Sequence, residues 1–172
     1  MRYQIEVGTE EQKKDIENEL SLIPHIFKEM NIECPIYRII VPVNFDKTVN
    51  IVSGTTSYSS GREEQMAIAK VINDNEGVTI VFSKILYTLG YDHQVRTFLY
   101  LHETMHVLNK NSFPKIERKT KKEAFYLEHI YILYDEYFAN RFSFETVQKL
   151  FEVKSKELKR FMRGELDNIR ML

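Results

Sequence analysis

Five consecutive residues, His102-Glu103-Thr104-Met105-His106, constrain this chain more than any other segment. An α-helix advances about 100° per residue, so side chains four apart share one face and two imidazoles at that spacing can grip one metal ion. Glu103 then stands beside the metal, where a carboxylate can take a proton from water. H-E-x-x-H on a helix is the pattern of a catalytic zinc site, and the reading therefore calls for one Zn2+, held in part by His102 and His106, with Glu103 as the catalytic base.

The segments around the motif say what surrounds it. Between residues 9 and 30, Ile16, Leu20, Ile23, Ile26, Phe27 and Met30 recur at helical spacing, which predicts a surface helix bent near Pro24. The β-branched run 36–41 predicts a strand, 49–53 a second short strand, and 54–61 a polar loop. Residues 65–72 and 78–82 flank Asn73-Asp74-Asn75-Glu76-Gly77, which predicts a hairpin and a largely antiparallel sheet. Asp92 suits the N-cap of the next helix, whose buried face should include Val95, Phe98, Leu99, His102, Met105, His106 and Asn109. The stretch 109–114 is expected to end that helix, and 115–122 is a basic stretch read as a solvated linker. An aromatic-rich helix should run over about 122–142. Ser143 is expected to cap a last helix with Val147, Leu150, Phe151, Leu158, Phe161, Met162 and Leu166 on its apolar stripe.

Composition removes several function classes. With 24 basic against 25 acidic side chains, the chain has no overall field to attract nucleic acid or an anionic membrane. Cys34 is the single cysteine and makes no internal disulfide, the first residues lack the apolar stretch of a secretion signal, and no run approaches a membrane span. A cytoplasmic location is expected. The 172 residues fit one domain, an N-terminal helix and sheet over 1–90 followed by a helical part over 91–172, although two tight subdomains flanking a cleft also suit the length.

A catalytic zinc usually takes three protein ligands and leaves a fourth position to water, so a third His, Asp or Glu is needed. The continuation H-x-x-G-x-x-H is broken, because Asn109 stands at the glycine position and Ser112 at the third histidine. A glutamate from a following helix is the other standard solution, and Glu136 is favoured: Ala139 permits close helix approach, and the amide of Asn140 can orient a ligand. Asp135 is the nearest competitor, about 100° round the helix, and His129, two turns earlier, is the other alternative.

Leu101-His102-Glu103-Thr104-Met105-His106 followed by Glu136-Tyr137-Phe138-Ala139-Asn140-Arg141-Phe142 resembles the ImmA/IrrE family of metallopeptidases, whose pattern pairs H-E-x-x-H with E-x-x-A-(N/D)-x-F. The likeness spans about 77–143. It departs from the pattern after Phe142, where Ser143-Phe144-Glu145 replaces the usual alanine. It implies zinc on His102, His106 and Glu136, and a minimal zincin-like α+β domain. In that fold a small, mainly antiparallel sheet precedes the active-site helix and two further helices. It also implies a regulatory protein substrate, such as a transcriptional repressor or stress regulator.

Those expectations describe hydrolysis of a peptide bond by water, with no covalent intermediate. His129, Tyr137, Tyr134, His93 and Tyr58 are the candidates for a donor to the developing oxyanion. The strand over 78–82 is a candidate for pairing with an extended substrate if it has a free edge, and the loop over 110–120 is long enough for a lid. The rival reading is a non-catalytic binding or sensor protein that recognises a regulator. Glu103 argues against it, since a structural metal site needs no base.

Overall fold

Alternation in Arg2-Tyr3-Gln4-Ile5 is short, yet it forms the first strand, β1 (Arg2–Ile5), with Arg2 and Gln4 exposed and Tyr3 and Ile5 turned inward. The computed structural model describes residues 1–34, 36–62, 65–74, 77–112 and 120–151. Two compact units make up the chain, Met1–Arg96 and Thr97–Leu172.

In the first unit the chain leaves β1 through Gly8, at φ +84, and enters α1 (Glu10–Leu20) at a capping box. The Thr9 hydroxyl accepts from Gln12 N at 3.3 Å while the Gln12 amide oxygen accepts from Thr9 N at 2.8 Å, so two helix-end donors are satisfied at once. The helix expected over 9–30 is two helices. It breaks at Ser21 rather than Pro24, and α2 (Leu22–Glu29) carries Pro24 in its first turn, where a missing N–H leaves no bond unmade.

Strand β2 (Ile36–Val41) forms as its β-branched run predicts. The strand expected over 49–53 does not form, because those residues close α3 (Phe45–Ser53). Asn44 caps it, accepting from Lys47 N at 3.0 Å, and Gly54 ends it in the left-handed conformation at φ +67. Phe45 and Val49 share a helical face and pack with Ile40, Ile72 and Val81 of the sheet, while Ile51 is left exposed.

A short ribbon, β3 (Gly61–Arg62) with β4 (Gln65–Met66), leads to β5 (Ala69–Asp74) and β6 (Gly77–Phe82), which form the expected hairpin. The main sheet has the order β1-β2-β6-β5. It is mixed, which corrects the expectation of a mainly antiparallel sheet: β1 and β2 pair in parallel, as do β2 and β6, and β5 alone runs against its neighbour. The α1–α2 pair between β1 and β2 is the crossover that parallel pairing requires. Register places Tyr3 and Ile5 on one face with Ile39 and Val41, and α1 packs against β1. The opposite face, holding Ile40 and Val81, is covered by α3. The C-terminal halves of β2 and β6, Ile39-Ile40-Val41 and Ile80-Val81-Phe82, are buried on both faces and read as unbroken apolar runs. β6 lies between β2 and β5, so the strand over 78–82 has no free edge for a substrate.

A short helix, α4 (Ile85–Thr88), precedes α5 (His93–Ser112), which crosses from the first unit into the second. Asp92 caps α5 as expected, accepting from Val95 N at 2.8 Å. In the second unit α5 is followed by α6 (Lys121–Phe151). Ser143 is not a cap: it is fully buried in the interior of that one continuous helix, and no proline or glycine interrupts the 31 residues. Residues 152–172, with the rest of the expected last helix, lie outside the described residues, as do 113–119 of the expected lid. Among the described residues no helix is long and apolar enough to cross a membrane. The class is α+β in the coarse sense, a mixed four-stranded sheet with helices.

Candidate metal centre

Two helices of the second unit, α5 and α6, supply the site. His102 and His106 stand one turn apart on α5 with ring centroids 4.5 Å apart and planes at 89°. Their Nε2 atoms are 2.9 Å apart, and each lies 3.5 Å from a carboxylate oxygen of Glu136 on α6. His102, His106 and Glu136 are thus brought together as a group able to hold a metal ion, all three partly buried. Phe98, one turn before His102, stacks on its ring at 6.0 Å, and Thr104 is tied into the helix by a 2.7 Å bond from its hydroxyl to the Tyr100 carbonyl.

The orientation of His106 is set from its far side. Asp135, one residue before Glu136, accepts from His106 Nδ1 at 2.7 Å through one oxygen and from the Asn109 amide at 2.8 Å through the other. A carboxylate has no proton to give, so Nδ1 carries the hydrogen and the Nε2 lone pair faces the cluster. Asp135, the rival ligand in the sequence, therefore faces Nδ1 of His106 and is not one of the three grouped donors. His102 has a different neighbour: its Nδ1 and both amide atoms of Asn140 are buried without a hydrogen-bond partner among the described residues. Asn140 is nevertheless close enough to favour the charged ring.

Electrostatics separate the two histidines. Burial, then the neighbouring His106, lower the pKa of His102 to about 3, against the weaker pull of Asp135 and Asn140. Burial also works against charge on His106, but the bond to Asp135 and the carboxylates of Glu103, Asp135 and Glu136 outweigh it, and its pKa is raised. Burial raises that of Glu136, aided by Asp135 and opposed by His106. A proton on His106 or Glu136 competes with a metal for the same lone pair, whereas His102 is free of its proton well below neutrality. Metal affinity should therefore stay level above the His106 pKa and fall below it, by up to about tenfold per pH unit for each proton displaced. Chelator competition from pH 8 to 5.5 measures this, and a flat profile would contradict it.

A second expectation concerns Asp135. Asp135→Ala should weaken metal binding by about 10- to 100-fold, and Asp135→Asn by less, since an amide oxygen can still accept from Nδ1. Equal losses in the two variants would show that the hydrogen bond does not matter.

The other residues singled out in the sequence are placed as follows. Glu103 is partly buried and its charge reaches His106. His129 is exposed, and its Nδ1 donates to the Phe125 carbonyl one turn back at 2.8 Å. Tyr134 stacks on Phe138 at 4.3 Å, while the Tyr137 hydroxyl accepts from Arg141 at 3.4 Å. Arg141 also pairs with Glu145 at 2.9 Å. His93 and Tyr58 belong to the first unit, the former beside Glu19 at 3.3 Å and the latter edge-on to Phe45. Within the second unit His129 does not join the three-residue group. The roles of Asp135 and Asn109 were not read from the sequence. Their signals in the sequence are adjacency to Glu136 for Asp135 and, for Asn109, a place on the helix face that also carries His102 and His106.

No protein-family model, no curated protein and no solved structure matches this chain.

Proposed function

We propose that the chain is a zinc-dependent metallopeptidase that hydrolyses a peptide bond in a specific intracellular regulatory protein. The observation that carries this reading is the close grouping of donor atoms, with the two Nε2 atoms 2.9 Å apart, His102 Nε2 3.5 Å from Glu136 Oε2 and His106 Nε2 3.5 Å from Glu136 Oε1, and with Glu103 next in sequence to His102. A tetrahedral zinc with nitrogen and oxygen ligands at about 2.0–2.1 Å has ligand-to-ligand edges of about 3.3 Å, and the separations between these donors are of that size. Two imidazoles and a carboxylate are also a donor set that zinc accepts, one that leaves a fourth position open. The resemblance to ImmA/IrrE metallopeptidases supports the same three ligands and a regulatory substrate.

His102, His106 and Glu136 would hold the metal, His106 in the tautomer that Asp135 selects. When bound, zinc supplies Lewis acidity, lowering the pKa of water and polarising a carbonyl. Glu103 takes the proton from the attacking water and delivers it to the amide nitrogen as that bond breaks, acting as base and then as acid. Partial burial of the cluster keeps these charges from being screened by bulk water, which strengthens each interaction during reaction.

The test combines elemental analysis of the purified protein with cleavage of a random-sequence peptide pool. About one zinc per chain and chelator-sensitive cleavage are expected. A protein that takes up no zinc from micromolar free metal would remove the reading.

A further inference from the structure

We infer that Asn140 and Ser143 of α6 are positioning residues of the metal centre, a buried polar chain that fixes the His102 ring, with Ser143 acting through Asn140. The inference rests on His102 being a metal ligand, as the metallopeptidase reading has it, and adds two residues outside the three donors. Asn140 is 4% exposed and Ser143 is fully buried. His102 Nδ1, the oxygen and the nitrogen of the Asn140 amide and the Ser143 hydroxyl are four buried polar atoms without a hydrogen-bond partner among the described residues. A buried polar atom left unpaired costs more than an ordinary hydrogen bond contributes, and native interiors hold few of them. Apolar side chains at 140 and 143 would fill a covered helix face equally well, so the polarity of these two calls for a function. Thr104 on α5 shows the common solution for a buried helix hydroxyl, a bond to the carbonyl one turn back, and Ser143 does not use it.

One arrangement satisfies all four atoms. Asn140 and Ser143 stand one turn apart on α6, about 60° from each other round the helix, at the spacing where side chains meet. Asn140 in turn acts on His102 as a hydrogen-bonding neighbour. Donor chemistry then sets the order of the chain. When Nε2 of His102 gives its lone pair to a metal, Nδ1 carries the hydrogen and needs an acceptor. Only the oxygen of an amide accepts, so it turns to Nδ1 and leaves the NH2 group facing Ser143. The serine oxygen accepts from that group, and its own hydrogen is free for a carbonyl of the preceding turn, the bond that Thr104 makes. An imidazole held at Nδ1 keeps its Nε2 lone pair aimed at the metal, which is how residues that touch no metal raise affinity for it.

The experiment measures zinc affinity by chelator competition, and the melting temperature of the metal-free protein, for full-length wild type and four variants. These are Asn140→Leu, Asn140→Asp, Ser143→Ala and the double variant Asn140→Leu with Ser143→Ala. Asn140→Leu should bind zinc about 10- to 100-fold more weakly, and Asn140→Asp, whose carboxylate still accepts from Nδ1, should recover most of that loss. Ser143→Ala should weaken binding about two- to tenfold, the effect of one hydrogen bond. In the double variant the serine change should add nothing, because the amide it anchors is gone. Metal-free melting temperatures should match wild type, since leucine has the branched shape of asparagine and buries no polar atom. If wild type binds zinc and Asn140→Leu and Ser143→Ala bind it equally well, this inference falls and the metallopeptidase reading stands. Additive losses in the double variant, or losses that track a lower metal-free melting temperature, would assign the two residues to packing and overturn it. If wild type binds no zinc, both fall together.

Discussion

Glu136→Ala is expected to strip the protein of stoichiometric metal. The two imidazoles would remain, but the only donor that α6 gives to the three-residue group would be gone. Loss of a residue that merely orients a ligand weakens metal binding by about 10- to 100-fold, so removal of a ligand itself should exceed the upper figure. The variant should still fold. Glu136 is not fully buried, its side chain being 32% exposed, and its own pKa is raised by burial, so deleting it relieves a desolvated carboxylate. Full metal content in Glu136→Ala, measured by elemental analysis after dialysis at neutral pH, would show that the third donor lies elsewhere.

Glu103→Gln should give the complementary result, retaining metal and losing hydrolysis. Glutamine keeps the shape and the hydrogen-bonding oxygen but cannot accept a proton from water. General-base catalysis contributes about 10²- to 10⁴-fold, so turnover should drop by that range with metal content unchanged. A secondary loss on the metal side is limited because Glu103 acts on His106 through its charge and is not one of the three grouped donors. Because that charge helps to raise the His106 pKa, the variant should also bind metal over a slightly more acidic range. Unchanged cleavage of a responsive peptide by Glu103→Gln would eliminate the proposed proton path.

The two experiments address what the sequence makes legible and what it does not. The pairing of His102 with His106 was legible because the two lie one helical turn apart, where spacing alone fixes geometry. Choosing Glu136 over Asp135 was harder. Adjacent residues on a helix differ by about 100°, and a sequence does not say which of the two directions faces the partner helix. The structure uses both, one carboxylate toward the histidine Nε2 atoms and the other behind His106. Asn109 took part through a long-range bond that no local pattern encodes.

The fold was legible where a segment's own periodicity decides its state, as in β2, the β5–β6 hairpin and the start of α5 at Asp92. It was not legible where pairing decides. Strand direction in a sheet follows from what joins the strands, and β1 is too short for alternation to announce it, so two parallel pairings were missed. Residues 49–53 are rich in β-branched side chains, but the Asn44 cap and the packing of Val49 hold them in a helix. Ser143 misled for a related reason. Serine favours helix starts when its hydroxyl can reach a free backbone donor, and in the middle of α6 no such donor exists.

The unbroken course of α6 has a consequence for the unfolded chain. His106 and Glu136 are thirty positions apart in sequence, and a metal shared between them would close that loop as a disulfide does. By the chain-entropy model a permanent cross-link over such a loop removes about 3–4 kcal/mol of conformational freedom from the denatured ensemble. With no break between Glu136 and buried Val147, a cross-link at the middle of the helix also restrains the anchoring turn about three turns further on. The same three side chains would then serve as a fastener of the helical unit, and its resistance to heat or protease would track the free-metal concentration of its surroundings.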